Sequence, residues 1–124
     1  MTTPRLSVVV PAYNEAESLP ELHRELVVAL DALDMTWEVL YVDDGSRDGT
    51  DRAIERICAE DPRARGILLS RNFGKSAALA TGFKEVRGAF LPKFRDSRMP
   101  RARGSSAQMR SMARSVPSRE PSST

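Results

Sequence analysis

Short apolar runs alternate with helix-spaced apolar stripes over the first 88 residues. Leu6-Ser7-Val8-Val9-Val10, closed by Pro11, has the pattern of a strand buried on both faces of a parallel sheet. Leu19, Leu22, Leu26, Leu30 and Leu33 follow at spacings of three and four, which predicts one apolar face of a helix ending near Asp34. Ser18 and Glu21 fit an S-x-x-E capping box at its start. Thr36 to Val42 predicts a second strand. Gly49-Thr50 then opens a second helix with Ala53, Ile54, Ile57 and Cys58 as its stripe, ended by Asp61-Pro62. Gly66 to Leu69 predicts a third strand, and Ser76 to Val86 a third helix with Ala78, Leu79, Phe83 and Val86 inward. The fold class is therefore α/β, a Rossmann-like parallel sheet with alternating helices and right-handed crossovers.

The alternation weakens where a fourth strand is due. Ala89-Phe90-Leu91 begins one, but Pro92 removes a donor that a central strand needs. Beyond it no apolar face recurs. Residues 95–124 hold seven Arg and eight Ser, interspersed with Pro100, Pro117 and Pro121. Such a stretch cannot bury enough surface to offset its ordering entropy, so disorder is expected. The expected organisation is a partial domain over 1–92 and a basic, Ser/Arg/Pro-rich tail over 93–124. An unfinished sheet also leaves an edge open, which favours self-association.

Charge sharpens that division. The net charge of +2 is the sum of −4 over residues 1–92 and +6 over 93–124, so the overall basic pI says little about the folded part. No apolar stretch reaches the ~20 residues of a membrane span, and the short run near the N-terminus follows no signal-peptide core. The single Cys58 excludes an internal disulfide and reads as a core residue. A cytoplasmic setting, peripheral to the membrane, is expected. His23, on the first helix without a partner of catalytic type, reads as a surface residue.

In a parallel sheet every strand-to-helix loop emerges at the same, carboxyl edge, where ligands bind. Three loops carry chemistry there. Pro11-Ala12-Tyr13-Asn14-Glu15 offers a ring for stacking on a base and a carboxylate for ribose hydroxyls. Asp43-Asp44-Gly45-Ser46-Arg47-Asp48-Gly49-Thr50 offers paired carboxylates able to accept from a base N–H. Of these, Asp48, Gly49 and Thr50 read as turn and cap residues. Ser70-Arg71-Asn72-Phe73-Gly74-Lys75 offers Arg71, Lys75 and the Gly74 backbone near a helix start, suited to phosphate.

These three motifs, in this order and with Ala78 and Gly82 behind them, resemble the family-2 glycosyltransferases, most closely those that act on polyprenyl or dolichyl phosphate. The resemblance covers residues 6–88. It implies a GT-A fold, a UDP- or GDP-linked sugar donor, a divalent metal (magnesium or manganese) and a polyprenyl-phosphate acceptor, with inverting transfer of the sugar. By the resemblance, Pro11, Ala12, Tyr13 and Glu15 line the nucleoside pocket, with Glu15 toward the ribose. Asp44 meets the base, Asp43 shapes its loop, and Arg71 and Lys75 sit near the diphosphate or sugar. The family holds its metal through an Asp-x-Asp motif soon after the position of Gly88. Here that stretch reads Phe94-Arg95-Asp96-Ser97-Arg98, so the metal ligands are missing from the motif. The chain is therefore expected to be a truncated and inactive transferase. The alternative is a non-catalytic nucleotide-binding fragment or interaction protein.

Other readings of the same residues are weaker. Asp44 to Glu55 approximates a calcium-binding EF-hand loop, but a β-rich run precedes it where a helix is required. Gly74-Lys75-Ser76 resembles the end of a phosphate-binding P-loop, with Leu69 where the earlier glycine belongs. The arginine-rich tail lacks the aromatic interleaving of a nucleic-acid binder, and no specific nucleic-acid partner is expected.

Overall fold

The computed structural model describes residues 3–93 and, as a backbone strand, residues 113–116. In chain order the elements are β1 (Leu6–Ala12), α1 (Leu19–Asp31), β2 (Trp37–Asp43), α2 (Thr50–Glu60), β3 (Ala64–Leu69), α3 (Lys75–Phe83), β4 (Ala89–Pro92) and β5 (Ala113–Val116). The sheet order is β4-β1-β2-β3-β5. The first four strands are mutually parallel, and β5 runs antiparallel to β3. The parallel α/β expectation holds. Ala113–Val116, within the stretch expected to lack structure, adds a strand to the outer edge of β3; the rest of 94–124 lies outside the described residues.

The handedness rule accounts for the layers. The chain steps from β1 to β2 to β3 in one direction, so right-handed crossovers put α1 and α2 on one face. It then steps back past β1 to β4, and the same rule sends α3 to the opposite face. Alternation along the strands feeds both sides. Val8, Val10, Val39 and Tyr41 face α1 and α2, while Val9, Leu40 and Val42 face α3. Apolar side chains cover both faces of the sheet, as expected for strands buried on two faces. Gly82 brings α3 close to the sheet, since a Cβ there would lie 2.5 Å from Val9 Cγ1.

Local expectations fared unevenly. Leu19, Leu22, Leu26 and Leu30 are buried along α1, and Ile54, Ile57 and Cys58 along α2. Leu33 is exposed instead of buried, because α1 ends at Asp31 and the stagger ends with it. Phe83 is also exposed; Gly82 and the alanines make the close approach, and Phe83 turns outward to meet Phe90 edge-on at 5.2 Å. The capping box does not form. The Ser18 hydroxyl donates 2.5 Å to the Glu15 carboxylate, and no side chain caps the helix. His23 is not a surface residue: it bridges the Tyr41 hydroxyl (2.7 Å) and the Asp61 carboxylate (2.9 Å), partners 18 and 38 residues away that only the fold brings near.

Pro92 is tolerated because β4 is an edge strand. The amides of Ala89 and Lys93 point inward, to the carbonyls of Arg5 and Val9. By the two-residue alternation of a strand, position 92 faces outward, where a missing donor breaks no bond.

At the amino edge of the sheet lies a buried ion cluster that the sequence did not signal. Glu38, on β2, is 1% exposed. Its carboxylate accepts from Ser7 Oγ (2.6 Å), the Arg87 amide (2.8 Å) and the guanidinium groups of Arg65 (2.9 Å) and Arg87 (3.0 Å). Ser7 Oγ in turn accepts from the Gly88 amide. The cluster thus fixes the turn that feeds β4 against β1, β2 and β3. Burial pushes the Glu38 carboxyl up, but the Ser7 hydroxyl, the Arg87 amide and the two guanidinium groups outweigh it and hold the group below the usual glutamate range.

Two predictions follow from this packing. Glu38→Ala leaves the Ser7 hydroxyl proton and the Arg87 amide without an acceptor; it should cost roughly 3 kcal/mol in a urea titration, the low end for breaking a buried pair because both arginines reach water. A depressed carboxyl stabilises above its unfolded value, so this contribution is present at neutral pH. It should disappear as pH falls through the glutamate range into the lowered folded value, and the Glu38→Ala variant should show a flatter acid limb. Separately, Gly82→Ala should cost about 1–3 kcal/mol by overpacking against the branched Val9, read as a lower midpoint with unchanged slope.

Candidate functional site

The three strand-end loops meet at the carboxyl edge of β1, β2 and β3. The first two are laced together, largely by side chains accepting from main-chain amides. Ser46 Oγ accepts from the Asn14 amide (2.8 Å), and Asn14 Oδ1 from the Arg47 amide (3.0 Å). Thr50 Oγ1 accepts from the Glu15 amide (2.9 Å), and Asp48 Oδ2 from the Ala16 amide (3.2 Å). Asn14 takes a left-handed φ of 53°, a conformation its short polar side chain tolerates. Asp48 also accepts from the Thr50 amide at the start of α2, the turn role expected for it.

The second and third loops touch main chain to main chain. Gly45 has φ +73°, and a Cβ there would lie 2.2 Å from the Arg71 carbonyl carbon and 2.4 Å from the Asn72 nitrogen. Only glycine fits. Beside it, Asp44 is 1% exposed and spends both carboxylate oxygens on the third loop, accepting from the amides of Phe73 (2.7 Å) and Gly74 (3.0 Å). Its own amide donates 2.8 Å to the Ala12 carbonyl. Asp44 therefore joins all three loops.

A cleft of about 510 Å³ opens over this floor, within the range of small-molecule sites. Tyr13, Asp43, Arg47, Asp51, Arg71 and Asn72 are among its walls. Tyr13 is 42% exposed, so its ring is available for stacking. Asp43 is nearly buried, and its Oδ1 accepts from the Ser46 amide at 3.0 Å. Burial pushes its carboxyl up, the Ser46 bonds only partly offset this, and the charges of Asp51 and Asp48 add to the rise. Asp44 is likewise held above the usual aspartate range, chiefly by burial, against the pull of the Phe73 and Gly74 amides. The Arg71 guanidinium carbon sits 4.6 Å from the centroid of the buried Phe73 ring.

The fold thus brings Tyr13, Asp43 and Arg71 together around one cleft. Pro11 and Ala12 are buried at the end of β1, paired with Val42 and Asp43. Glu15 turns toward Ser18 at the start of α1, and Lys75 begins α3; neither lies among the cleft walls. The Gly74 amide is taken by Asp44. Arg47, Asp51 and Phe73 gain importance that the sequence did not assign. A guanidinium-to-ring spacing of two residues was the one local hint, and it is weak in any loop. Among the described residues, no helix is long and apolar enough to cross a membrane.

Comparison with known proteins places this arrangement. The chain is 46% identical over 94 residues to the undecaprenyl-phosphate 4-deoxy-4-formamido-L-arabinose transferase of Sodalis glossinidius, a match covering 71% of this chain and 28% of that protein. The proteins of the same name from Salmonella choleraesuis and Salmonella paratyphi B are each 45% identical over 88 residues, covering 70% of this chain and 27% of theirs. The chain therefore spans little more than a quarter of the length of these relatives. The model of the family described as Glycosyl transferase family 2 matches residues 7–91, a span that takes in all three loops, and the chain belongs to that family.

Proposed function

We propose that the cleft binds the nucleoside of a nucleotide-diphosphate sugar, and that it serves transfer of the sugar to a polyprenyl phosphate. The observation that carries this reading is the convergence of Tyr13, Asp43 and Arg71 on one cleft at the carboxyl edge of a parallel sheet. Support comes from the family and from relatives named as undecaprenyl-phosphate sugar transferases. In this reading Tyr13 stacks on the base, and the ionised Asp43 accepts from a base N–H. Arg71 faces the negative charge of the diphosphate. An oxygen of the acceptor phosphate attacks the anomeric carbon, and the bond from that carbon to the nucleotide diphosphate breaks.

The divalent metal used in the family is a separate matter. Among the described residues no three His, Cys, Asp or Glu side chains gather to hold one, and Phe94 to Arg98 lie outside that set. The donor set for a metal is not met by the described residues. No step is assigned to it.

Titration calorimetry with UDP and GDP tests the cleft. Saturable binding of at least one nucleotide is expected, with Asp43→Asn weakening it roughly tenfold, as loss of one charge-assisted bond does. Absence of binding by either at millimolar concentration rejects the reading. Because the ionised Asp43 is the acceptor and its pKa is raised, affinity should be highest on the alkaline side of that raised value and fall as pH drops through it. The fall should begin at higher pH than an ordinary aspartate gives, and Asp43→Asn should abolish it.

A further inference from the structure

We propose that Asp44 and Phe73 form a positioning pair that holds the Arg71 guanidinium at the cleft, so that Asp44 acts on a bound nucleotide through Arg71 and not by touching it. The inference rests on the reading of the cleft as a nucleotide site. Its physical basis is a continuous set of contacts. The Asp44 carboxylate grips the Phe73 and Gly74 amides at 2.7 and 3.0 Å. The Phe73 ring is fully buried among Val9, Leu40, Val42 and Ile67 on the α3 side of the sheet, so it cannot swing. Its outer face lies 4.6 Å from the Arg71 guanidinium carbon. The Arg71 main chain is meanwhile fixed from below by Gly45. Main chain and head group are both held, and the arginine loses little freedom on meeting an anion.

The competing role for Asp44 is direct contact with the base. For that, a carboxylate oxygen would have to abandon an amide at the head of α3. The amide would then be buried without a partner, a loss larger than an ordinary hydrogen bond returns. Asp43, which already lines the cleft, needs no such exchange.

The test is a set of variants of the full chain, titrated with UDP and GDP well below their melting temperatures. Asp44→Asn, Phe73→Leu and Arg71→Ala should each weaken binding roughly tenfold. Phe73→Leu keeps the core filled and removes only the ring face. Combining Arg71→Ala with either of the others should give no further loss, and the ratio of UDP to GDP affinity should not change. A merely structural role would lower the melting temperature and leave the affinity of the folded protein untouched, which would overturn the proposal. So would additive losses, or a changed UDP-to-GDP ratio in Asp44→Asn. If a variant fails to fold, amide exchange in the wild-type chain decides. Phe73 and Gly74 should stay equally protected with and without nucleotide, and loss of protection on binding would mean that Asp44 has let go to take the base. A wild-type chain that binds neither nucleotide removes the reading of the cleft and the pair with it, a result distinct from additive losses in a chain that binds.

Discussion

Two main chains from different loops touch at Gly45, and the geometry of the cleft depends on that contact. A Cβ at this position would lie 2.2 Å from the Arg71 carbonyl carbon and 2.4 Å from the Asn72 nitrogen, far inside van der Waals contact, so no side chain fits. With the glycine in place, the loop after β2 serves as a seat for the loop after β3. Asp44 then secures the seat by taking two amides at the start of α3, while its own amide reaches back to the last residue of β1. Loops are the mobile parts of most α/β domains. Here three of them are tied by hydrogen bonds, mostly from main-chain amides to side-chain oxygens, before any ligand arrives, which lowers the ordering cost of binding.

The sheet buries a carboxylate system at each end, and the two are balanced differently. At the amino edge, Glu38 meets two guanidinium groups, a hydroxyl and an amide, and its charge is neutralised locally. At the carboxyl edge, Asp43 is held by the amide and side chain of Ser46, and Asp44 by the amides of Phe73 and Gly74. Both carboxyls are held above the usual aspartate range there, a feature of a site more than of a scaffold. The polar bridge from His23 to Tyr41 and Asp61 belongs to the scaffold: it pins α1 across β2 to the end of α2.

Most of the fold was legible because its signals are local or periodic. The apolar runs ending at Pro11 and Asp43, and the leucine stripe from Leu19 to Leu30, each encode their element within a few residues. The convergence of three loops followed from sheet topology alone. What escaped notice depended on contacts between distant segments. Glu38 looks like an interruption of a strand until Arg65 and Arg87 are folded against it, and His23 lacks a partner until β2 and α2 close around it. Ser18 had a capping-box spacing, yet Glu15 offered its hydroxyl a nearer acceptor. Within the cleft the residue types were foreseeable. Which aspartate would face the opening was not, because that depends on where the amides of Phe73 and Gly74 arrive.

The outward-facing proline of β4 has a consequence for assembly. Among the described residues no strand pairs with that side of β4, and within the strand only Phe90 has an outward amide to offer, since position 92 carries none. A strand approaching from solvent would find one donor where an ordinary rim presents two, and its own carbonyls would go unanswered beside the ring. The border is thus half-sealed by a single residue. It can accept a neighbour shaped to skip a bond, while indiscriminate stitching of sheet to sheet is discouraged.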